Sequence, residues 1–160
     1  IGDYLFGCDI CQDVCPWNSK ATPTDDPKFQ TREKYEDLTP EELLCFEMND
    51  YVEYFSKSAM KRAKLDGFKR KAAVVLRNTG DEGTLDLLGE RLEVDEEPLV
   101  RGHIAWAVGQ IGGDRAVEIL ENAADRQEDA YVLEEVRAAL DRAADSSYSQ
   151  HKNYAMHDAS

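Results

Sequence analysis

The apolar positions of this chain obey two regimes. From residue 68 onward they recur at i, i+4 and i+8, the spacing that lines one face of an α-helix. Placing FKRKAAVVLRNTG (68–80), VRGHIAWAVGQIG (100–112) and VLEEVRAALDRAA (132–144) above one another superimposes the apolar residues at a constant offset of 32. Phe68, Val100 and Val132 coincide, as do Ala72, Ile104 and Val136, and Leu76, Val108 and Leu140; between them, Leu85 and Leu88 match Val117 and Leu120. Each unit reads as a helix, a turn marked by glycine (Gly80; Gly112 and Gly113) and a second helix. One such pair cannot bury its apolar face alone, so successive pairs must stack into an α-solenoid.

Before residue 68 the periodicity weakens. Residues 16–40 carry four of the five prolines among polar residues and predict an irregular connector. Thr39, Pro40, Glu41 and Glu42 read as an N-cap, an N1 proline and an acidic first turn, opening a helix through LLCFEM. Asn49 and Asp50 are placed to cap a second helix, NDYVEYFSKSAMKRAK, ending before Gly67. The chain closes on SSYSQHKNYAMHDAS, which predicts a frayed tail with His151 and His157 as solvated residues. The expected class is mainly α, with HEAT-like helical repeats over 39–145. A cysteine-bearing segment (1–20), a connector (21–38) and a disordered tail (146–160) complete the expected division.

Charge sharpens this picture at one place. The formal net charge of −14 argues against a general nucleic-acid coating protein. Yet residues 57–77 hold eight Lys or Arg (Lys57, Lys61, Arg62, Lys64, Lys69, Arg70, Lys71, Arg77) against Asp66 alone, about +7, which leaves the remainder near −21. On a continuous helix Lys57, Lys61 and Lys64 would share a face, with Arg62 beside it, and Lys69, Arg70 and Lys71 would open the next helix. Such an array suits the phosphates of a folded RNA. The bland reading of the same run is a solvated charged face. Trp106, between Ala105 and Ala107, reads as core or inter-repeat packing rather than a base-stacking platform. His103, at the start of that helix, could face solvent or RNA, although lone histidines of this kind are usually structural.

Three of the four cysteines lie in CDICQDVCP, residues 8–16. Neighbours this close favour a shared metal over paired disulfides. Against the ferredoxin pattern C-x2-C-x2-C-x3-C-P, Cys8, Cys11 and Cys15-Pro16 fill the last three positions and Leu5 stands at the first. A zinc site would need a further pair of Cys or His ligands nearby. Cys45, between Leu44 and Phe46 on a helix, reads as a core residue rather than a fourth ligand. No run approaches 18 apolar residues and no basic leader opens the chain, so a soluble cytoplasmic protein, part of something longer, is expected.

GCDICQDVCPWN, followed by a polar connector and then SAMKRAKLDGFKRKAAVVLRNTGD and VRGHIAWAVGQIGG, resembles the C-terminal portion of the epoxyqueuosine reductase family. These are cobalamin-dependent iron-sulfur enzymes of queuosine tRNA modification. The resemblance covers roughly residues 1–120. It implies a ferredoxin-like module with two 4Fe-4S clusters, to which Cys8 and Cys11 would contribute at one cluster and Cys15 at the other. It also implies a HEAT-like domain that recognises the anticodon region of tRNA. Cobalamin, the catalytic acid and the first cysteine run would belong to an upstream part, so this chain alone should be inert. The implied whole enzyme works as a monomer with an electron donor and no membrane, and a surround of Leu5, Phe6, Ile10, Val14 and Trp17 would keep the clusters dry. Lys71 stands where the family has an asparagine, and Arg77 where a small residue is usual. The competing expectation is a non-enzymatic HEAT-like adaptor for protein or RNA with an incomplete metal loop.

Overall fold

The structure, a computed structural model, describes residues 4–27, 30, 33–35, 37–79 and 82–144. Gly80 and the tail at 146–160, with His151 and His157, lie outside the described residues. Every regular element among the described residues is helical. They are α1 (Ile10–Asp13), α2 (Pro40–Cys45), α3 (Met48–Phe55), α4 (Lys64–Thr79), α5 (Glu82–Val94), α6 (Pro98–Ile111), α7 (Asp114–Arg126) and α8 (Ala130–Ala144), with 3-10 turns at Asn18–Lys20, Glu33–Tyr35 and Ala59–Ala63. None of the described helices is long and apolar enough to cross a membrane.

The 32-residue offset becomes physical layers. α4, α6 and α8 lie side by side, with α6 packed chiefly against α8 and α4, while α5 and α7 form the second row. Phe68, Val100, Val132, Ala72, Ile104, Val136, Leu76 and Val108 are all buried, as are Leu85, Leu88 and Leu120; Leu140 and Val117 are half-buried. α6 is the central helix and is covered on most of its surface. Gly109 is what lets it meet α8: a Cβ there would stand 2.7 Å from the Ala139 carbonyl oxygen. Gly112 and Gly113 take φ of +70° and +87° to turn the chain into α7, a region that side-chain-bearing residues avoid.

The helix starts have local causes. The Thr39 hydroxyl accepts the Glu42 N–H at 3.2 Å and the Glu42 carboxylate accepts the Thr39 N–H at 3.0 Å, a reciprocal cap with Pro40 at N1. α3 begins earlier than its sequence suggests. Glu47, not Asn49, is its N-cap, and its N–H donates to the Asp50 carboxylate at 2.8 Å.

A larger difference follows. The helix expected to run from Asn49 to Lys64 ends at Phe55; Ser58 caps a 3-10 turn by accepting the Met60 N–H, and α4 begins at Lys64, which places Gly67 inside it. The connector docks on this elbow. The Lys34 ammonium donates to the Glu53 and Tyr54 carbonyls at 3.0 and 2.6 Å, satisfying the open end of α3. The Tyr35 hydroxyl donates to the Tyr54 carbonyl at 2.7 Å, and Phe55 is stacked between Tyr35 and Phe68.

Candidate functional site

The cysteine segment is shaped by backbone and polar bonds. Gly7 (φ +68°) and Asp9 (φ +49°) reverse the chain on either side of Cys8. Aspartate tolerates the left-handed region better than most residues, so the turn is sequence-encoded. α1 is a single turn that buries nothing. The Asn18 amide donates to the Gln12 carbonyl at 3.2 Å, and the Ser19 hydroxyl donates to the Pro16 carbonyl at 2.7 Å. These bonds hold the curve without a core.

Cys8 and Cys11 are exposed and Cys15 is half-buried. Unbonded cysteine is ordinarily among the most buried residue types, so two exposed thiols on one short loop call for a function. Among the described residues, no three His, Cys, Asp or Glu side chains converge as a metal-holding group. The donor chemistry, soft thiolates at C-x2-C spacing, fits iron-sulfur ligation, but the donors form only part of a ligand set. The surrounding apolar residues are open: Ile10 is 51% exposed, Val14 73% and Trp17 92%. Of the five residues expected to surround the clusters in the whole enzyme, Leu5 is half-buried here and Phe6 reaches a core ring, Phe68, at 6.1 Å.

Cys45 corrects another expectation. It is exposed at the C-terminal end of α2 instead of in the core, because Leu43, Leu44 and Phe46 take the inward positions. Partial burial of the sulfur nevertheless pushes its thiol pKa up; Arg91 opposes this and Glu90 adds to it. A thiol held protonated is a poor metal ligand.

The basic window divides in two. Lys57, Lys61, Arg62 and Lys64 are exposed, arrayed on the turn and 3-10 elbow between α3 and α4 rather than on one helical face. The Tyr51 hydroxyl donates to the Lys61 carbonyl at 2.6 Å and fixes the elbow to α3. Lys64 sits at φ 59°, ψ 165°, a conformation that only glycine adopts without strain. Arg70 and Lys71 are half-buried on α4.

Lys69 does not belong to that surface. Its ammonium turns inward and pairs with the Asp95 carboxylate at 2.8 Å, with the two side chains 7% and 2% exposed. Asp95 also accepts Arg91 at 3.2 Å and the Glu97 N–H at 3.2 Å, so it ties α4 and α5 to the turn before α6. Burial alone would raise the Asp95 pKa; the Lys69 hydrogen bond, the Glu97 N–H and Arg91 outweigh it and leave the pKa lowered. The sequence did hold a signal: Lys69 fills the i+4 place between Leu65 and Ala73, in a row otherwise apolar.

Sequence reasoning missed a groove across α4, α6 and α8. Val74, Gly102, His103, Trp106, Tyr131 and Glu135 line a cavity of about 310 Å³. Arg77 fixes Trp106, its guanidinium lying 5.9 Å from the ring centroid while it also donates to Gln110 at 3.3 Å. Gly102 admits the Tyr131 ring, which would stand 2.7 Å from a Cβ at that position. His103 Nδ1 donates to the Leu99 carbonyl at 2.8 Å, since that oxygen can only accept, which leaves Nε2 as the ring's free nitrogen. The missed signal lies in the repeat: Lys71, His103 and Glu135 are offset by 32, as are Val74, Trp106 and Ala138.

Comparison with known proteins covers both parts. A family model described as HEAT repeats matches residues 58–141. An epoxyqueuosine reductase of Xanthomonas campestris is 36% identical over 113 residues, 70% of this chain and 32% of that protein. One from Bacillus cereus is 34% identical over 145 residues, 88% of this chain and 37% of its own length. A solved structure of the Bacillus subtilis epoxyqueuosine reductase superposes with a TM-score of 0.79 at 28% identity, covering 88% of this chain and 38% of that one. Another solved structure, an epoxyqueuosine reductase with a tRNA-Tyr epoxyqueuosine-modified tRNA stem loop, gives 0.80 at 27% identity over 89% of this chain and 38% of its own. The chain spans about a third of the length of the curated relatives it matches.

Proposed function

Because the chain belongs to the HEAT-repeat family and is similar to the C-terminal portion of epoxyqueuosine reductases, we propose that it forms the RNA-holding and cluster-bearing part of such an enzyme. The whole protein would reduce epoxyqueuosine to queuosine in tRNA, in the cytoplasm and as a monomer. Cobalamin and the electron donor would engage the remaining two thirds of the relatives' length. The observation that carries this reading is the structural match over 89% of the chain, which extends well beyond the repeats at 58–141.

Cys8 and Cys11 would ligate one 4Fe-4S cluster and Cys15 another, the clusters supplying one-electron transfer when bound. The chain's own residues position that chemistry. The Gly7 and Asp9 turns set the C-x2-C arc, Asn18 and Ser19 hold it, and Phe6 docks it on Phe68. Ile10, Val14 and Trp17 would exclude water once covered by the upstream module.

For RNA, the working surface is Lys57, Lys61, Arg62 and Lys64 on the elbow, with Arg70 and Lys71 beyond it on α4. Lys69, expected on that surface from its place in the basic window, is excluded because Asp95 neutralises it. The strained backbone at Lys64 is held by the packed elbow, as is common where side-chain placement matters.

The test is a titration of the chain with a tRNA anticodon stem loop at several salt concentrations. Every phosphate deprived of its cationic partner lowers the slope of log affinity against log salt by roughly 0.7–0.9. K61E with R62E should weaken binding and flatten that slope by nearly twice this amount. Affinity and slope equal to those of the unaltered chain would remove the basic elbow from the reading.

A further inference from the structure

We propose that the groove across α4, α6 and α8 is a pocket for one unpaired nucleotide of an RNA strand, with its base against Trp106 and Tyr131 and its phosphate toward Arg70 and Lys71. The inference deepens the RNA reading above and rests on it. Three features of the groove favour a nucleotide.

The first is a prepared aromatic wall. Trp106 is half-buried and held on one side by Arg77, so its position is set before any ligand arrives. Tyr131 faces it from the start of α8, seated against α6 only because residue 102 has no Cβ. A glycine inside a helix costs about 1 kcal/mol relative to alanine, so this seat is maintained against propensity. Stacking on such rings accepts any base.

The second is size. A cavity of about 310 Å³ has room for a nucleobase, and a base must leave its pair and its stack to enter such a pocket.

The third is polarity along the groove. At the α4 end, Arg70 and Lys71 stand one turn before Val74, and Arg70 is near enough to act electrostatically on the Tyr131 hydroxyl. At the α8 end Glu135 lines the cavity, and no hydrogen bond or ion pair engages its carboxylate among the described residues. The in-register row therefore runs from a cation (Lys71) through His103 to an anion (Glu135). A nucleotide carries the complementary order, an anionic phosphate at one end and base N–H donors at the other. A guanine edge, with its ring N–H and exocyclic amine, offers two donors to one carboxylate. A cationic peptide side chain would match Glu135 but be repelled by Arg70 and Lys71.

The experiment uses the full chain carrying Trp17→Phe, so that Trp106 is the single tryptophan reporter. A guanine-containing RNA stem loop and a blunt RNA duplex of equal length are titrated, following Trp106 emission and fluorescence anisotropy. The stem loop should quench Trp106 and the duplex should not. Trp106→Leu, assayed in the chain retaining Trp17, should weaken the stem loop about five-fold or more and leave the duplex unchanged. Glu135→Gln keeps the size and shape of the side chain. Removing a negative charge ought to strengthen contact with phosphates generally, so weaker stem-loop binding in this variant reports base recognition rather than bulk electrostatics. Equal quenching by loop and duplex, or stem-loop affinity that survives both variants while K61E with R62E abolishes it, overturns the pocket and leaves the RNA reading intact. Failure of both RNAs to bind overturns both. Quenching by a lysine-rich peptide but not by RNA assigns the groove to a protein partner and also overturns the proposal.

Discussion

The segment at 4–20 and the stack at 40–144 are built on opposite principles. In the stack, side chains from helices far apart in sequence interleave, and Leu44, Leu88, Leu92, Val100, Ile104 and Leu120 reach zero exposure. In the segment, one helical turn buries nothing, and Ile10, Val14 and Trp17 face outward. Such a turn has too few hydrogen bonds to offset the entropy of ordering it. The stack thus carries its own stability, whereas the segment depends on neighbours or ligation for its order. On the proposed reading this is useful: a loop that shares clusters with another module cannot be complete alone.

The sharpest way to break the stack is through the buried charge cluster at Lys69, Asp95 and Arg91. Asp95→Ala strands Lys69 and removes the shorter of the Arg91 ion pairs, leaving that guanidinium Glu47 at 3.7 Å, and should cost about 3–5 kcal/mol of stack stability in denaturant unfolding. Acid should reproduce part of that loss. The Asp95 pKa is lowered in the fold relative to an ordinary value of 3.8, so its contribution is present above that pH and disappears as pH falls through the depressed folded value. Asp95→Asn should remove this share of the acid sensitivity, measured as unfolding midpoint against pH below about 4.

Leu88→Ala, at a fully buried site, should cost about 2–5 kcal/mol, whereas Val14→Ala should fall within about 0.5 kcal/mol of no effect. Equal costs would erase the contrast between the two regions. Gly109→Ala should cost about 1–3 kcal/mol, because its Cβ meets the Ala139 backbone rather than a side chain that could swing away. Phe6→Ala has the smallest expected effect on the stack. It should leave thermal unfolding unchanged while speeding amide exchange across 8–15, since it removes the ring packing against Phe68. Exchange in that stretch as slow as in α6 would show the segment to be self-supporting after all.

The two regions also differ in how much could be read before folding. In the stack, the offset of 32 anticipated the buried residues apart from Leu140 and Val117, which are half-buried, because periodic apolar spacing is itself the imprint of a shared face. Thr39 with Glu42 was readable for a related reason: a cap is closed by atoms three residues apart. The elbow was not. The Ser58 side chain starts a new 3-10 turn after α3 has ended at Phe55, and Lys64 takes a backbone angle that no residue preference indicates. The proposed cysteine ligands and the proposed RNA surface were legible only as residue types and spacings. Which neighbours would surround Cys8 and Cys11 was not, since Trp17 and Val14 read as a dry shell and face outward.

By itself the sequence determined the repeat, its register, the Thr39 cap and a cysteine arc that fills part of a ferredoxin pattern, because each of these is written in spacings no longer than one repeat unit. Only tertiary structure decided that Lys69 turns in to Asp95, 26 residues away, that Cys45 points out, and that His103, Trp106, Tyr131 and Glu135 share one groove. The physical reason is common to all three. Whether a charge is paired, a thiol buried or a ring walled in depends on which distant backbone comes within a few ångströms, and that is set only when the helices stack.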